Sequence, residues 1–246
     1  MLNVLGNLNY SVLHFENDSA LAEAAAADWL PLLEQRSPDE PFLVALSGGR
    51  IARTFFGATV TEAREKRGLF ANVHFFWADE RCVPLDHPDS NFRLANEALF
   101  QPLAIPEANL HRLRGELEPN AAITLANEEI ARWAPVNQSG MPVLDLVLLG
   151  MGEDGHVASL FPNASDEIWD CRSAFLRIDN SPKPPPQRLS LSFAAIVEAK
   201  EVWVLVSGAG KEFALRESLS PAGRTPLARV LKARSMTRIY AEIATS

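Results

Sequence analysis

The stretch Val143-Leu-Asp-Leu-Val-Leu-Leu149, followed by Gly150-Met-Gly-Glu-Asp-Gly-His-Val-Ala-Ser-Leu-Phe-Pro162, decides the fold of this chain. The apolar run is typical of a buried strand in a parallel sheet. Three glycines and an acidic pair then bring His156 to the carboxyl end of that strand. In open α/β sheets ligands bind at this edge, so the stretch predicts a site for chemistry on a small anionic molecule.

Strand-like and helix-like segments alternate along the rest of the chain. Strands are predicted over residues 42–46, 73–78, 143–149, 174–178, 188–193, 201–206 and 237–240, and helices over about 17–33, from 51, 90–100, 119–134, 210–219 and 226–232. This alternation predicts an α/β fold with a mostly parallel sheet covered by helices on both faces, a Rossmann-like three-layer sandwich. We expect a single domain over residues 1–246, in which the prolines of 182–186 form a stiff loop of the site.

The composition limits the class of protein and its partners. The 246 residues carry a net charge of −8, which would be repelled by nucleic acid and by anionic membranes, so neither is an expected partner. Cys82 and Cys171 give neither a disulfide framework nor the spacing of metal ligands. Because we find no signal-peptide pattern and no membrane-spanning apolar run, we expect a cytoplasmic protein. We also expect a monomer, with a weak dimer as the alternative.

Two strand-end segments carry groups suited to a sugar phosphate. Ser47-Gly48-Gly49-Arg50 joins a predicted strand to a predicted helix, so its amides and the helix dipole suit an anion, although a tight turn without a ligand fits equally well. Arg81 suits a bidentate contact to phosphate, and Asn91 suits a hydrogen bond to a sugar hydroxyl. The alternative for Arg81 is a surface ion pair with Asp86 or Asp89.

His156 is the predicted catalytic base, because a histidine exchanges protons near neutral pH and three glycines precede this one in a strand-end loop. Asp154 is expected to orient His156 or its water, and the amides of Gly152 or Gly155 to stabilise an oxyanion. The remaining histidines are interpreted as structural or surface residues: His14, His74, His87 and His111.

Two further cations are expected in the site. Arg188 follows the proline segment, and Lys211 stands where a helix is predicted to begin, so each could add positive charge to a bound anion. Gly208-Ala-Gly-Lys211 is not a nucleotide-binding P-loop, because Glu212 replaces the required Ser or Thr. Gly150-Met-Gly-Glu-Asp-Gly155 matches the dinucleotide fingerprint, but Pro162 would interrupt the helix that this fingerprint requires. No metal ion is required either.

Taken together, these residues resemble the 6-phosphogluconolactonases. The similarity runs in family order from residue 47 to residue 211, through Ser47-Gly48-Gly49, Asp79-Glu-Arg-Cys-Val-Pro84, Ser90-Asn-Phe92, the 150–162 segment, Pro185-Pro-Gln-Arg-Leu-Ser-Leu-Ser192 and Gly210-Lys211. The resemblance implies hydrolysis of 6-phospho-D-glucono-1,5-lactone to 6-phospho-D-gluconate in the oxidative pentose phosphate pathway, without a cofactor. It also implies that the base is His156, and that the substrate phosphate is bound and positioned by Ser47-Gly48-Gly49, Arg81, Arg188 and Lys211, with Asn91 nearby.

Two positions depart from the family pattern. The family usually has Thr-Pro where this chain has Ile51-Ala52, so a hydroxyl donor and a preorganised first helical turn are missing. Asn163 replaces the glycine that usually follows Phe-Pro, a mild change because Asn tolerates a left-handed backbone.

Two alternatives to a lactonase are open. Related glucosamine-6-phosphate deaminases and isomerases carry a glutamate partner for the histidine, where this chain has Phe161. A non-catalytic sugar-phosphate sensor is the second alternative, since one fold can host many functions. A sensor generally needs an output module, however, and the sequence shows none.

Overall fold

The centre of the molecule is a six-stranded sheet in which every pair of neighbouring strands is parallel. The computed structural model describes residues 9–37 and 39–243. Within them the strands are β1 (Ser11–His14), β2 (Phe42–Leu46), β3 (Val73–Trp77), β4 (Asp79–Arg81), β5 (Leu146–Gly150), β6 (Phe175–Ile178), β7 (Arg188–Leu191), β8 (Glu201–Val206) and β9 (Arg238–Ala241). The order in the large sheet is β1-β9-β8-β5-β2-β3.

Helices flank this sheet. They are α1 (Asp18–Glu34), α2 (Arg50–Glu62), α3 (Asn91–Ala95), α4 (Gln101–Leu103), α5 (Pro119–Trp133), α6 (Asp166–Trp169), α7 (Phe193–Glu198), α8 (Glu212–Leu219) and α9 (Pro226–Ala233), with a π-helical turn, Asn96–Phe100, between α3 and α4. The chain crosses the sheet in one direction from β1 to β3 and in the other from β3 to β9. Right-handed crossovers therefore place α1 and α2 on one face and the later helices on the other. The predicted α/β class, with a mostly parallel sheet flanked by helices, is confirmed.

The local signals in the sequence explain where these elements begin and what they bury. The side chain of Asn17 accepts a hydrogen bond from the amide of Ala20 at 2.9 Å, which caps α1 as its residue type predicts. The inward face of α1 buries small and large apolar side chains, with Trp29 packed on Phe55 of α2 at 5.6 Å between ring centroids. Strands β2 and β3 are buried along their whole length, as continuous apolar runs predict for a sheet covered on both faces.

A second, antiparallel sheet was not predicted. Strands β4, β7 and β6 form it in that order, although the sequence indicated 174–178 and 188–193 only as further strands. Its register places Arg81 directly opposite Arg188. The small sheet therefore brings together two arginines that are far apart in the sequence.

Two other differences concern the large sheet. Strand β1, which lies at the edge of the sheet beside β9, was missed, because it is only four residues long and mostly exposed. Strand β5 begins at Leu146 rather than at residue 143. The reason is Asp145, whose buried carboxylate accepts hydrogen bonds from the amide of Leu43 at 2.8 Å and from Arg36 at 2.7 Å. In the part of the chain that the structure describes, no helix combines the length and apolar character needed to cross a bilayer.

Candidate active site

A cavity of about 480 Å³ opens where the loops after β2, β5 and β8 meet. These strands are parallel neighbours, so their carboxyl ends lie at the same edge of the sheet. Most of the predicted site residues line this cavity: Ser47, Gly48, Gly49, Arg81, Gly152, His156, Arg188 and Lys211. Asp154 and Asn91 are not among the lining residues, and each contacts a residue that is.

His156 is held by two neighbours in the loop that follows β5. Its Nδ1 lies 2.5 Å from Oδ1 of Asp154, and its ring packs against Phe161 with 4.6 Å between centroids. The side chain is 15% exposed, so it is largely buried but reaches the cavity. Because Nδ1 is engaged by an acceptor-only carboxylate, Nε2 is the ring nitrogen left to exchange a proton.

The charge of Asp154 is set by this contact. Burial alone would raise the pKa of its carboxyl group, but the hydrogen bonds from His156 and the attraction to its ring lower the pKa to about 2. The carboxylate is therefore ionised throughout the neutral range and favours the tautomer that carries a proton on Nδ1. This geometry matches the orienting part that the sequence predicts for Asp154.

Gly152 leaves the space that the imidazole ring of His156 occupies. A Cβ at this position would lie 2.0 Å from Cε1 and Nδ1 of His156, so no side chain fits there. Its amide donates to the carbonyl oxygen of His156 at 2.9 Å, and the amide of Gly155 donates to the carbonyl oxygen of Gly152 at 3.0 Å. The structure contradicts the prediction that these two amides stabilise an oxyanion, because both already have acceptors within the loop.

Arg188 is a buried cation, 4% exposed, at the start of β7. Its Nε and Nη2 donate to the carbonyl oxygens of Lys183, Pro184 and Pro185 at 3.1–3.2 Å, and Nη1 lies 3.8 Å from Oδ2 of Asp79. Burial lowers the pKa of Arg188, and the carboxylate of Asp79 opposes this effect. The proline segment predicted as a stiff loop thus fixes this guanidinium and leaves Nη1 turned to other partners.

Arg81 lies opposite Arg188 across the small sheet. Its Nη1 donates to the backbone oxygen of Asp89 at 2.8 Å, instead of forming the surface ion pair that was the alternative interpretation. Its buried Nε has no hydrogen-bond partner among the described residues. The cavity wall formed by the small sheet therefore carries two guanidinium groups, with the carboxylate of Asp79 beside them.

Asn91 lies behind the cavity wall. Its amide nitrogen donates to the backbone oxygen and to Oδ1 of Asp79, at 2.8 and 3.1 Å. A Cβ at position 48 would come within 1.8 Å of its Oδ1, which explains the glycine there. The amide donors of Asn91 are thus used to position Asp79, not left free for a sugar hydroxyl as the sequence suggested.

Sequence reasoning missed two acidic residues. Asp79 lines the cavity and accepts a hydrogen bond from the hydroxyl of Ser159 at 2.7 Å. Glu80 is buried beside it and accepts hydrogen bonds from the amides of Arg81, Asn91 and Phe92 at 2.7–2.8 Å. Burial raises the pKa of Glu80 to about 7, although these hydrogen bonds lower it. Both residues stand in the segment Asp79-Glu-Arg-Cys-Val-Pro84 that carries the family resemblance, but the sequence assigned a role only to Arg81.

The opposite side of the cavity is also positive. Lys211 caps α8, and its pKa is lowered by burial and by the nearby charge of Arg50, while Glu153 raises it. The hydroxyl of Ser47 is buried without a hydrogen-bond partner in residues 9–37 and 39–243. These groups, with the amino end of the 13-residue helix α2, offer donors and positive charge to an anion. Within the same residues, no group of three or more His, Cys, Asp or Glu side chains is arranged to hold a metal ion.

The fold and this site define a family of sugar-phosphate enzymes. The profile of the glucosamine-6-phosphate isomerases/6-phosphogluconolactonase family matches residues 16–239, and the chain belongs to this family. The resemblance inferred from the sequence is thereby confirmed.

Individual relatives agree with this assignment. The 6-phosphogluconolactonase of Treponema pallidum (strain Nichols) is 36% identical over 208 residues, which cover 84% of this chain and 85% of the relative. Among solved structures, the 6-phosphogluconolactonase from Trypanosoma brucei has a TM-score of 0.80 at 27% identity and covers 96% of this chain and 97% of its own. The one from Thermotoga maritima has a TM-score of 0.77 at 29% identity, with coverages of 94% and 98%.

Proposed function

We propose that this protein hydrolyses 6-phospho-D-glucono-1,5-lactone to 6-phospho-D-gluconate, a step of the oxidative pentose phosphate pathway, by general-base activation of water and without a cofactor. One observation carries the proposal: His156, oriented by Asp154, faces a cavity that is also lined by three arginines and a lysine. A base in this position can activate water for attack on an uncharged ester. The cations can bind the phosphate that is attached to the same substrate.

His156 acts on water in this proposal. Nε2 removes a proton from a water molecule, whose oxygen attacks C1 of the lactone and gives a tetrahedral oxyanion. The imidazolium that forms is stabilised by the ionised carboxylate of Asp154. When the oxyanion collapses, the bond between C1 and the ring oxygen breaks and the imidazolium returns its proton to that oxygen. One water is consumed, and no covalent intermediate is needed.

The oxyanion is assigned to the arginines of the small sheet. The amides of Gly152 and Gly155 are occupied, whereas Nη1 of Arg188 is not used by the carbonyl oxygens of the proline loop. Arg81 adds a second positive charge opposite it. Fixed charges that are already in place when the negative charge develops lower the barrier more than mobile water would.

The 6-phosphate is assigned to the other side of the cavity, a change from the expectation that Arg81 and Arg188 bind it together with Ser47-Gly48-Gly49 and Lys211. Ser47-Gly48-Gly49 presents the amino end of α2, and Lys211 adds an ammonium group. Binding energy from this remote group orients the ring over His156. Phosphate binding and chemistry thus use different walls of one cavity.

We further propose that residues 1–246 act as a single domain, as a monomer, in the cytoplasm. The single domain is supported by one hydrophobic core cluster that includes strands of both sheets. The monomer is proposed because the chemistry assigned above, from His156 to Lys211, uses residues of a single cavity in one chain and calls for no group from a partner. A weak dimer is the alternative and would leave this lining unchanged.

The alternative of a deaminase is disfavoured by Phe161. This residue stands where such enzymes place the glutamate partner, and its ring packs directly on His156. An aromatic ring can neither accept a proton from His156 nor hold it in a relay.

The test compares three readouts on the wild-type protein. Freshly generated 6-phospho-D-glucono-1,5-lactone should disappear faster than it does spontaneously, with 6-phospho-D-gluconate as the product. Glucosamine 6-phosphate should release no ammonia. Ammonia release would favour the deaminase, and binding of the phosphorylated lactone without turnover would favour the sensor.

A further inference from the structure

Arg50 is the first residue of α2 and directly follows Ser47-Gly48-Gly49. We propose that Arg50 is a specificity-determining residue that binds the substrate phosphate and replaces the hydroxyl donor that Ile51 lacks. This inference rests on the proposed function, since it names one further ligand of the same phosphate. It concerns a residue between Gly49 and Ile51 to which the resemblance assigns no role.

The position of Arg50 at the cavity is fixed by contacts on two sides. Its Nη2 donates to the hydroxyl of Ser207, just after β8, at 2.9 Å. Its Nη1 pairs with the carboxylate of Asp18 at the start of α1. Arg50 and Ser207 both line the cavity, so the guanidinium extends from the end of the β2 loop to the end of the β8 loop.

The backbone after β8 leaves room for this guanidinium. A Cβ at Gly208 would lie 2.8 Å from Nη2 of Arg50, and the φ angle of Gly208 is +103°. A residue with a side chain would therefore be strained by its backbone and would crowd the guanidinium. The same loop leads to Lys211, which is close enough to Arg50 for their charges to interact.

Two neighbouring cations favour an anion between them. Like charges repel each other, and an anion with several oxygens removes this repulsion by binding both. A guanidinium has five N–H donors, of which Asp18 and Ser207 use only part, so donors remain for phosphate oxygens. The planar arrangement of the guanidinium N–H donors also matches the positions of the phosphate oxygens.

The acidic residues near Arg50 and Lys211 limit which other anions can bind between these two cations. Asp18 pairs with Arg50, Glu153 and Glu242 act on Lys211, and Glu242 also accepts a hydrogen bond from the amide of Gly208. These carboxylates balance the cations in the absence of a ligand and would repel a second anionic group. We therefore expect the pair Arg50 and Lys211 to select one phosphate.

The test uses phosphate selectivity, defined as kcat/KM for 6-phospho-D-glucono-1,5-lactone divided by kcat/KM for D-glucono-1,5-lactone. Arg50→Met should lower this ratio about tenfold or more, because a charge-assisted contact made only to the phosphorylated substrate is lost. The ratio for Arg50→Lys, which keeps the positive charge but loses the planar guanidinium, should lie between the ratios for the wild type and for Arg50→Met. The matched control is Arg53→Met: Arg53 is on the same helix, equally exposed at 59%, and faces Glu97.

A ratio that changes by less than twofold in Arg50→Met would overturn the proposal, and so would an equal loss in Arg53→Met. If the wild-type protein hydrolyses neither lactone, the proposed function fails, and Arg50 is judged by calorimetric titration with 6-phospho-D-gluconate. The dissociation constant should then be about tenfold higher for Arg50→Met than for the wild type. Equal constants would exclude Arg50 as a phosphate ligand. Arg50→Lys gives the same comparison if Arg50→Met does not fold.

Discussion

At the scale of single residues, His156 depends on three neighbours with different tasks. Asp154 accepts a hydrogen bond from Nδ1, Phe161 packs on the ring, and Gly152 leaves the space that the ring fills. Removal of any one should disturb the direction of Nε2, and a displacement of about 1 Å at a reacting atom can cost two orders of magnitude in rate.

Gly152→Ala tests the space around the base. The added methyl group would lie 2.0 Å from the ring of His156, so the ring must move. We expect kcat for lactone hydrolysis to fall at least about 100-fold, with the protein still folded by circular dichroism. Gly57→Ala, in the middle of α2 with open space around it, is the matched control and should keep wild-type kcat. Wild-type kcat in Gly152→Ala would show that the position of His156 does not limit the rate.

Residue types at strand ends were enough to predict eight of the residues that line the cavity. The sequence did not reveal which donors were already used, because the acceptors of the Gly152 amide and of the Asn91 side chain are fixed only by the folded loop. Arg50 and Asp79 stand in segments that the sequence singled out, but neither side chain was assigned a role, for a related reason. An isolated charged residue is usually solvated, and only tertiary contacts turn these two toward the cavity.

At the scale of elements, Glu80 organises the segment that joins β4 to α3. Its carboxylate accepts hydrogen bonds from the amide of Arg81 at one end and from the amides of Asn91 and Phe92 at the other. It also accepts from the hydroxyl of Ser90, which caps α3. The conformation of this segment sets the positions of Arg81 and Asn91.

Glu80 gives the protein a pH-dependent stability. The pKa of Glu80 is raised from 4.5 to about 7, mainly by burial. The contribution of the protonated side chain to the free energy of unfolding is therefore fully present below pH 4.5 and is lost as the pH rises through 7. We expect the free energy of unfolding of the wild type to fall by up to about 3 kcal/mol over this range relative to Glu80→Gln, which cannot ionise. Urea unfolding at several pH values measures the difference. Parallel pH profiles for the two proteins would contradict the raised pKa.

Elements with strong local signals were predicted well, and those that depend on distant partners were not. Helix α1 and strands β2 and β3 have clear caps or continuous apolar runs. The antiparallel sheet depends on pairing between Arg81 and Arg188, which lie more than one hundred residues apart, and no local pattern reports such a pairing. Strand β1 gains its place only by contact with β9.

At the scale of the whole molecule, a chain with net charge −8 concentrates cations around one cavity. Arginine and lysine side chains there come from β4, β7 and the loops after β2 and β8. The surplus of acidic residues on the rest of the chain favours solubility and disfavours binding to nucleic acid. The parallel sheet brings these cations together by ending its strands at one edge.

If the protein acts as the proposed monomer, activity should not depend on association. We expect a mass of 27.0 kDa by light scattering and a specific activity that is constant over a 100-fold range of protein concentration. A decline in specific activity on dilution, together with a larger mass at high concentration, would show instead that the weak dimer is the active form.

The central claim is that His156 is the base that activates water for lactone hydrolysis. The most direct measurement is kcat of His156→Ala on freshly generated 6-phospho-D-glucono-1,5-lactone, corrected for spontaneous decay. The control is His87→Ala, at a half-buried histidine that does not line the cavity. We predict a loss of about 10²–10⁴ in kcat for His156→Ala and wild-type kcat for His87→Ala. A loss of less than threefold in His156→Ala would contradict the claim and assign the base to another residue.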